Sequence, residues 1–197
     1  RSIEYNGAQD RCQVFWGDIR DATVLPEHLG KFDLITGTPP YFRVTFDDDG
    51  DAYTEFGSFP TCRQSAPARY EFRGGVEAYA EAAARHLAPD GVFVCVEGCD
   101  TNEMRVEASA RANGFLVTRV VSLCGKEGKA PLFQVFVMVF RVACAECEES
   151  APERVEIAVR DGAGRHTATY AQVLLDMGIP VLTHTNFDVE DTKASDL

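Results

Sequence analysis

The chain has 197 residues, of which 31 are acidic and 19 are basic, giving a formal net charge of −12. This length favours a single domain, and a hydrophobic content of 45% is enough for a folded core. No apolar run approaches the roughly 18 residues of a membrane-spanning helix, and the shortage of basic residues argues against generic nucleic-acid binding.

The seven cysteines are scattered along the chain. Cys144 and Cys147 form a CxxC pair, but no second pair follows at zinc-ligand spacing, so we expect no metal site. The opening residues lack the apolar segment of a secretion signal. The odd number of scattered cysteines predicts a reducing compartment, and we expect a cytoplasmic location, with an organelle as the alternative.

Two short apolar segments near the start predict β-strands. The segment 13–16 ends at Gly17-Asp18, and the segment 32–36 ends at Gly37, so both are bounded by turn residues. Residues 38–71 then show no strong periodicity and contain the acidic run 47–51. A loop of this length is typically functional.

The middle of the chain alternates between helical and extended patterns. Residues 76–87 predict a helix that ends before Pro89-Asp90-Gly91, because apolar residues recur on one face. A buried strand is predicted at 92–96. A second helix is predicted at 101–113, with Asp100 and Glu103 as its capping box.

The next two predicted strands, 115–123 and 132–142, are too close for an intervening helix. They must therefore pair antiparallel, and we expect them to close one edge of the sheet. A polar linker, an edge strand at 155–159 and a short helix at 170–177 follow. This order predicts an α/β domain with a largely parallel sheet.

Two strand ends carry the candidate chemistry, because ligands bind at the carboxyl ends of strands in open α/β sheets. Asp18 can accept a hydrogen bond from a nucleoside amino group, or it can simply cap a short helix beginning near Arg20. After the second strand comes Thr38-Pro39-Pro40-Tyr41, here called the Pro-Pro turn. Its prolines leave carbonyl oxygens without local donors, and its tyrosine can stack on a planar substrate. The alternative is an ordinary turn with a core tyrosine.

The Pro-Pro turn lies within FDLITGTPPYF, which resembles the fourth motif of class I S-adenosylmethionine-dependent methyltransferases. QVFWGD resembles the family motif whose acidic residue meets the cofactor adenine, and the opening 1–7 resembles the helix after the ribose-binding residue. The antiparallel pair 115–142 is also typical of that fold. Three weaker matches point to the valine-tRNA adenine-N6 methyltransferase family: Ala68-Arg69-Tyr70-Glu71, the basic loop 125–131, and the segment from Glu156 to Tyr170.

The resemblance implies a Rossmann-like sheet over residues 1–178, followed by a polar tail at 179–197. It implies S-adenosylmethionine as cofactor and RNA as partner. The implied catalytic residues are Thr38, Pro39, Pro40 and Tyr41. The implied cofactor-binding residues are Asp18, Ile19 and Thr38. The implied substrate-binding residues are Tyr41, Phe42, Arg69, Lys126 and Lys129, with Arg73 as a further basic candidate.

The sequence departs from the family pattern in two places. Thr38 stands where the family has Asn, Asp or Ser, so a shorter hydroxyl replaces an amide or carboxylate oxygen. The family's glycine-rich loop and ribose-binding acidic residue are not in the sequence. We therefore expect the chain to be the C-terminal portion of a larger domain, whose first strands and glycine-rich loop precede Arg1.

Three functions follow from these observations. The first is methylation of adenine N6 in tRNA or other RNA. The second is methylation of a protein glutamine, which uses a similar motif and is compatible with the acidic run 47–51. The third is a non-catalytic binding or assembly module, which the Thr38 replacement favours.

Overall fold

The computed structural model describes residues 1–53, 59, 65–98, 103–143 and 151–181. Its helices are α1 (Ser2–Tyr5), α2 (Ser65–Arg69), α3 (Val76–His86), α4 (Glu103–Ala112) and α5 (Ala168–Asp176). Its strands are β1 (Phe32–Gly37), β2 (Thr45–Phe46), β3 (Ala52–Tyr53), β4 (Leu87–Gly98), β5 (Phe115–Lys126), β6 (Pro131–Phe140) and β7 (Glu153–Arg160).

The main sheet has five strands in the order β1-β4-β6-β5-β7. β1, β4, β5 and β7 run in one direction, and β6 runs against both of its neighbours. β6 is reversed because the turn from β5 is too short for a crossover helix. The carboxyl ends of the four parallel strands therefore share one edge with the start of β6, here called the carboxyl edge.

Helices α3 and α4 cover one face of this sheet and enclose the core. The predicted helical face is confirmed, since Val76, Ala80 and Ala83 are buried. Phe93 and Phe136 of the neighbouring strands β4 and β6 have no exposed surface. The helices thus fix β4 and β6 against the core, which holds their ends at the carboxyl edge in place.

β4 begins earlier than the sequence predicts. Helix α3 ends at His86, and β4 starts at once with Leu87, which pairs with Phe32. The pairing then shifts, resuming at Leu34 and Val92. Pro89 lies within this bulge, where a residue without a backbone N–H is tolerated.

The expected strand at 13–16 does not form. Val14, Phe15 and Trp16 are exposed, and β1 is the edge of the sheet as described. An apolar run becomes a strand only where a neighbour pairs with its backbone groups, and no described strand lies beside these residues. The helix expected near Arg20 is also absent, and turns occupy residues 19–25 before a short 3-10 helix at Pro26–His28.

The antiparallel pairing of β5 with β6 is confirmed, although β6 ends at Phe140 and a short 3-10 turn follows. The expectation that this hairpin closes the sheet is wrong. β7 pairs parallel with β5 and forms the edge itself, as predicted for the strand at 155–159. α4 ends before Gly114, whose φ of +77° favours glycine, while Asp100 of the expected capping box lies outside the described residues.

Two findings bear on function classes. Among the described helices, none is long and apolar enough to cross a membrane. The described residues also hold no group of three His, Cys, Asp or Glu side chains arranged for a metal ion. The CxxC pair Cys144 and Cys147 lies outside the residues that the structure describes.

Candidate functional site

A cleft of about 440 Å³ opens beyond the end of β1 at the carboxyl edge. The segment Trp16-Gly17-Asp18-Ile19 forms one side. Pro40 of the Pro-Pro turn, Pro67, Arg73, Gly74 and Tyr79 complete the lining. The volume is in the range of small-molecule sites. The cleft brings Asp18 and Ile19 together with Pro40, although they lie in separate parts of the sequence.

Asp18 is held by its neighbour Arg20. Its carboxylate accepts hydrogen bonds from the Arg20 backbone N–H at 3.0 Å and from guanidinium Nη2 at 2.6 Å. These bonds, with the guanidinium charge, hold the pKa of Asp18 well below its usual range. Asp18 therefore stays ionised and half-exposed. It begins a local turn and does not cap a helix, and a carboxylate retains lone pairs for a further donor.

The Pro-Pro turn follows β1 directly. Gly37, the last residue of β1, faces the ring of Tyr79, and a Cβ there would lie 2.6 Å from Tyr79 Cδ1. Pro39 is buried, which anchors the turn, while Thr38 is exposed beside it. Thr38 is not among the residues that line the cleft, so of the Pro-Pro turn only Pro40 forms its wall.

Tyr41 is held at the carboxyl ends of the adjacent strands. Its ring packs over Gly98, where a Cβ would approach to 3.3 Å, and lies 5.7 Å from the Phe133 ring. Burial raises the pKa of Tyr41, and Glu97 and Cys95 raise it further. Tyr41 remains a neutral hydrogen-bond donor at ordinary pH. The Tyr41 ring is partly buried and partly accessible. It is therefore compatible both with a stacking ring and with a tyrosine that packs against the core.

Sequence reasoning missed Glu97 and Tyr79. Glu97 is 1% exposed at the end of β4. Burial raises the pKa of both Tyr41 and Tyr79, and the Glu97 charge raises both pKa values further. A single carboxylate ending the apolar run Val92–Val96 was a usable signal, since buried charges require specific surroundings. Tyr79 gave no such signal, because an aromatic residue on a helix usually belongs to the core.

The predicted basic residues divide into two groups. Arg73 lines the cleft, and Arg69 ends α2 nearby in the sequence. Lys126 ends β5 and Lys129 follows in the turn before β6, so both lie at the carboxyl edge but outside the cleft lining. Lys126 lies opposite Arg160 in the register of β5 with β7. Arg160 is therefore a further cation at this edge, and sequence reasoning missed it.

The acidic run 47–51 forms the turn of the β2–β3 hairpin. The Asp47 carboxylate accepts hydrogen bonds from the backbone N–H groups of Asp49 and Asp51, at 3.1 and 2.7 Å. These residues are exposed. The run is a locally ordered, solvated acidic surface.

No family model and no curated protein matches the chain. Among solved structures, it is similar to a predicted O-methyltransferase from Agrobacterium tumefaciens. The TM-score is 0.57 and the identity 12%, over 94% of this chain and 73% of the other. A second match is the PvuII cytosine-N4-specific DNA methyltransferase, with a TM-score of 0.36 and 14% identity over 77% of this chain and 58% of the other.

The first of these likenesses defines the fold. The chain has a Rossmann-like α/β fold similar to that of this predicted O-methyltransferase, and strand β6 is reversed in its otherwise parallel sheet. An identity of 12% supports the fold alone. The reaction and its substrate must be argued from the site.

Proposed function

We propose that the chain belongs to an S-adenosylmethionine-dependent N-methyltransferase that acts on the amino group of adenine N6 in RNA. The observation that carries this proposal is the cleft in which Asp18 and Ile19 face Pro40 of the Pro-Pro turn. A methyl transfer needs two molecules held in line more than it needs acid–base help. A cleft with a nucleoside-binding side and an amine-binding side meets that need.

The cofactor side of the cleft consists of Asp18 and Ile19. The Asp18 carboxylate would accept a hydrogen bond from the adenine amino group, and Ile19 would contact the adenine ring. The ionised state and partial exposure of Asp18 fit this role, as does the size of the cleft. S-adenosylmethionine supplies the electrophilic methyl group when it is bound.

The substrate side consists of the Pro-Pro turn and Phe42. The Thr38 hydroxyl and the Pro39 carbonyl would accept the hydrogens of the substrate amine and so orient its lone pair. Tyr41 would stack on the base, which must leave its own stack to enter the site. The packing of Tyr41 on Gly98 and Phe133 supports this role, because it restricts the ring before the substrate arrives.

The RNA backbone would be bound by basic residues at the carboxyl edge. The candidates are Arg69, Arg73, Lys126 and Lys129, and Arg160 lies beside Lys126. A local cluster is required because the net charge of −12 opposes nonspecific attraction to phosphates. The protein would act in the cytoplasm.

A second candidate function is methylation of a protein glutamine. It is favoured by the exposed acidic turn 47–51, which would repel phosphates but not a neutral or basic peptide. A third candidate is a non-catalytic module. It is favoured by Thr38, which is exposed and does not line the cleft.

The variant Tyr41→Ala tests the proposal, with Tyr41→Phe as its matched control. Stacking on an aromatic ring is worth roughly 1–3 kcal/mol per base, so Tyr41→Ala should lower turnover about ten- to hundredfold. Cofactor affinity should hardly change, and Tyr41→Phe should keep most of the turnover. The measurements are radiolabelled methyl transfer to RNA and calorimetric cofactor binding, with the complete protein.

The three functions give different results in these assays. Methyl transfer to peptide glutamine but not to RNA would favour the second candidate. If the protein transfers no methyl group to RNA or to peptide glutamine, whether or not it binds the cofactor, the non-catalytic module is favoured. An equal loss of cofactor affinity and turnover in Tyr41→Ala would contradict the role of this ring.

A further inference from the structure

Arg105 on α4 forms an ion-pair cluster with two glutamates from other elements. Nη1 and Nη2 donate to the Glu71 carboxylate at 2.7 and 2.9 Å, and Nε and Nη2 donate to Glu77 at 2.6 and 2.7 Å. Both contacts are bidentate, which fixes the guanidinium plane as well as its distance. Arg105 thus joins α4, the start of α3 and the segment between α2 and α3.

This cluster differs from an ordinary surface ion pair because two of its members are largely buried. The side chains of Arg105 and Glu71 are 13% and 11% exposed. Although burial alone would raise the pKa of Glu77, the hydrogen bonds from Arg105 hold it below its ordinary value. Hydrogen bonds to both glutamates likewise outweigh burial and raise the pKa of Arg105. Arg105 and Glu77 are therefore both ionised at ordinary pH values.

The backbone of the same segment is bonded to the residue after the Pro-Pro turn. The Phe42 N–H donates to the Arg69 carbonyl at 3.0 Å, and the Glu71 N–H donates to the Phe42 carbonyl at 2.9 Å. The Phe42 and Tyr70 rings are 5.3 Å apart. The Phe42 backbone is thus bonded to Arg69 and Glu71, and Arg105 binds the side chain of Glu71.

The rest of that segment lies at the cleft. Residues 69–75, here called the rim segment, include Arg73 and Gly74 of the cleft lining. Gly74 has a φ of +89°, and a Cβ on Gly75 would lie 2.6 Å from Glu71 Cδ and 2.7 Å from Arg105 Nη2. The rim segment therefore turns sharply at Gly74, and Gly75 packs closely against Glu71 and Arg105.

We propose that Arg105 is a positioning residue, which fixes the rim segment and, through Phe42, the Pro-Pro turn in the geometry that methyl transfer requires. The role in turnover rests on the function proposed above. The mechanical role does not, because it concerns only how the rim segment is held. The two can therefore be tested separately.

The activity test compares Arg105→Gln with Arg154→Gln. Arg154 also pairs with α4, through Glu103 and Glu107, but it does not contact the rim segment. Arg105→Gln should lower kcat about tenfold or more and raise KM for the acceptor, since misplacement of positioning groups is costly. Cofactor affinity should fall less than turnover, because Asp18 is held by Arg20 and not by the Arg105 cluster. Arg105→Lys should recover part of the turnover.

The mechanical test is tryptic cleavage at the Arg73–Gly74 bond under native conditions. Arg105→Gln should speed cleavage there about tenfold, and Arg154→Gln should leave it unchanged. Two milder variants replace Arg105→Gln if that variant does not fold. Glu71→Gln keeps the shape of the side chain, and Glu77→Gln lies on the exposed side of the cluster. Both should give cleavage rates between those of the wild type and those expected for Arg105→Gln. Circular dichroism separates local opening from global unfolding.

Wild-type cleavage rates at Arg73 in all cluster variants would overturn the proposal. So would an equal loss of turnover in Arg105→Gln and Arg154→Gln, since the effect would then be general destabilisation. If the wild-type protein neither binds cofactor nor methylates, the proposed function fails. Faster cleavage in the Arg105 and Glu71 variants would still show that Arg105 holds the rim segment.

Discussion

Asp18 illustrates how much a single residue can reveal in a sequence. Its place after an apolar segment and a glycine made it a candidate, and the structure places it in the lining of the cleft. Its tight pairing with Arg20, two residues away, could not be predicted, because i and i+2 side chains meet only in particular turns. Likewise, Arg105 and Glu71 are 34 residues apart, and only the packing of α4 on α3 brings them together.

The role of Asp18 can be tested with Asp18→Ala and a control at its partner, Arg20→Gln. Loss of a charge-assisted hydrogen bond should weaken cofactor binding about tenfold in Asp18→Ala, with the fold intact by circular dichroism. Arg20→Gln keeps the carboxylate and should weaken binding less. Calorimetry gives both affinities. Unchanged affinity in Asp18→Ala would leave Asp18 as a residue that only shapes its turn.

At the scale of elements, local pattern predicted the types of most elements and one strand pairing, but not the order of the strands in the sheet. The helical face of α3 and the pairing of β5 with β6 followed from periodicity and loop length. The failure of residues 13–16 to form a strand, and the place of β7 outside β5, depend on which backbone lies alongside. That information is nonlocal, since a strand needs a partner for its N–H and carbonyl groups.

The β5–β6 turn carries the test of RNA binding. Replacing Lys126 and Lys129 by Gln should weaken RNA binding and lower the slope of log affinity against log salt by roughly 1.4–1.8, because two phosphate contacts are lost. The matched control replaces Lys31 and Arg111, which precede β1 and end α4 at the opposite edge of the sheet. Filter binding against salt measures both.

The acidic β2–β3 turn gives the reciprocal result. Replacing Asp48 and Asp49 by Asn should strengthen RNA binding, most of all at low salt, where screening is weak. These two side chains are chosen because Asp47 orders the turn through its hydrogen bonds. If the complete protein has no RNA affinity even at low salt, RNA is not the substrate.

At the scale of the whole molecule, acidic residues dominate the electrostatics. Among the described residues, five carboxyl groups have pKa values below their ordinary ones, which are 3.8 for Asp and 4.5 for Glu. They are Asp18, Asp21, Glu77, Glu103 and Asp161. The charged form is favoured by hydrogen bonds from arginine side chains at Asp18, Glu77 and Glu103, from the Thr23 hydroxyl at Asp21, and from the Arg165 backbone N–H at Asp161. Folding is therefore linked to the ionisation of these groups.

This linkage predicts acid sensitivity. A carboxyl group with a lowered pKa in the folded state stabilises the protein above its unfolded pKa, and this stabilisation is lost as pH falls. The Tm should therefore drop as the pH falls below about 4.5. Glu77→Gln should lower Tm at pH 6, and its difference from wild type should shrink below pH 4. Calorimetry across this range checks both, and a constant difference would contradict the linkage.

Trp16 is the only tryptophan of the chain, and it stands fully exposed on the wall of the cleft. Indole emission responds to solvent and to stacking with purine rings, so excitation beyond the tyrosine absorbance reports on this one position. Quenching or a blue shift on addition of a nucleoside would report occupancy of the cleft without a label. The intrinsic fluorescence of Trp16, which lines the cleft with Asp18, can therefore be used to screen candidate ligands in solution.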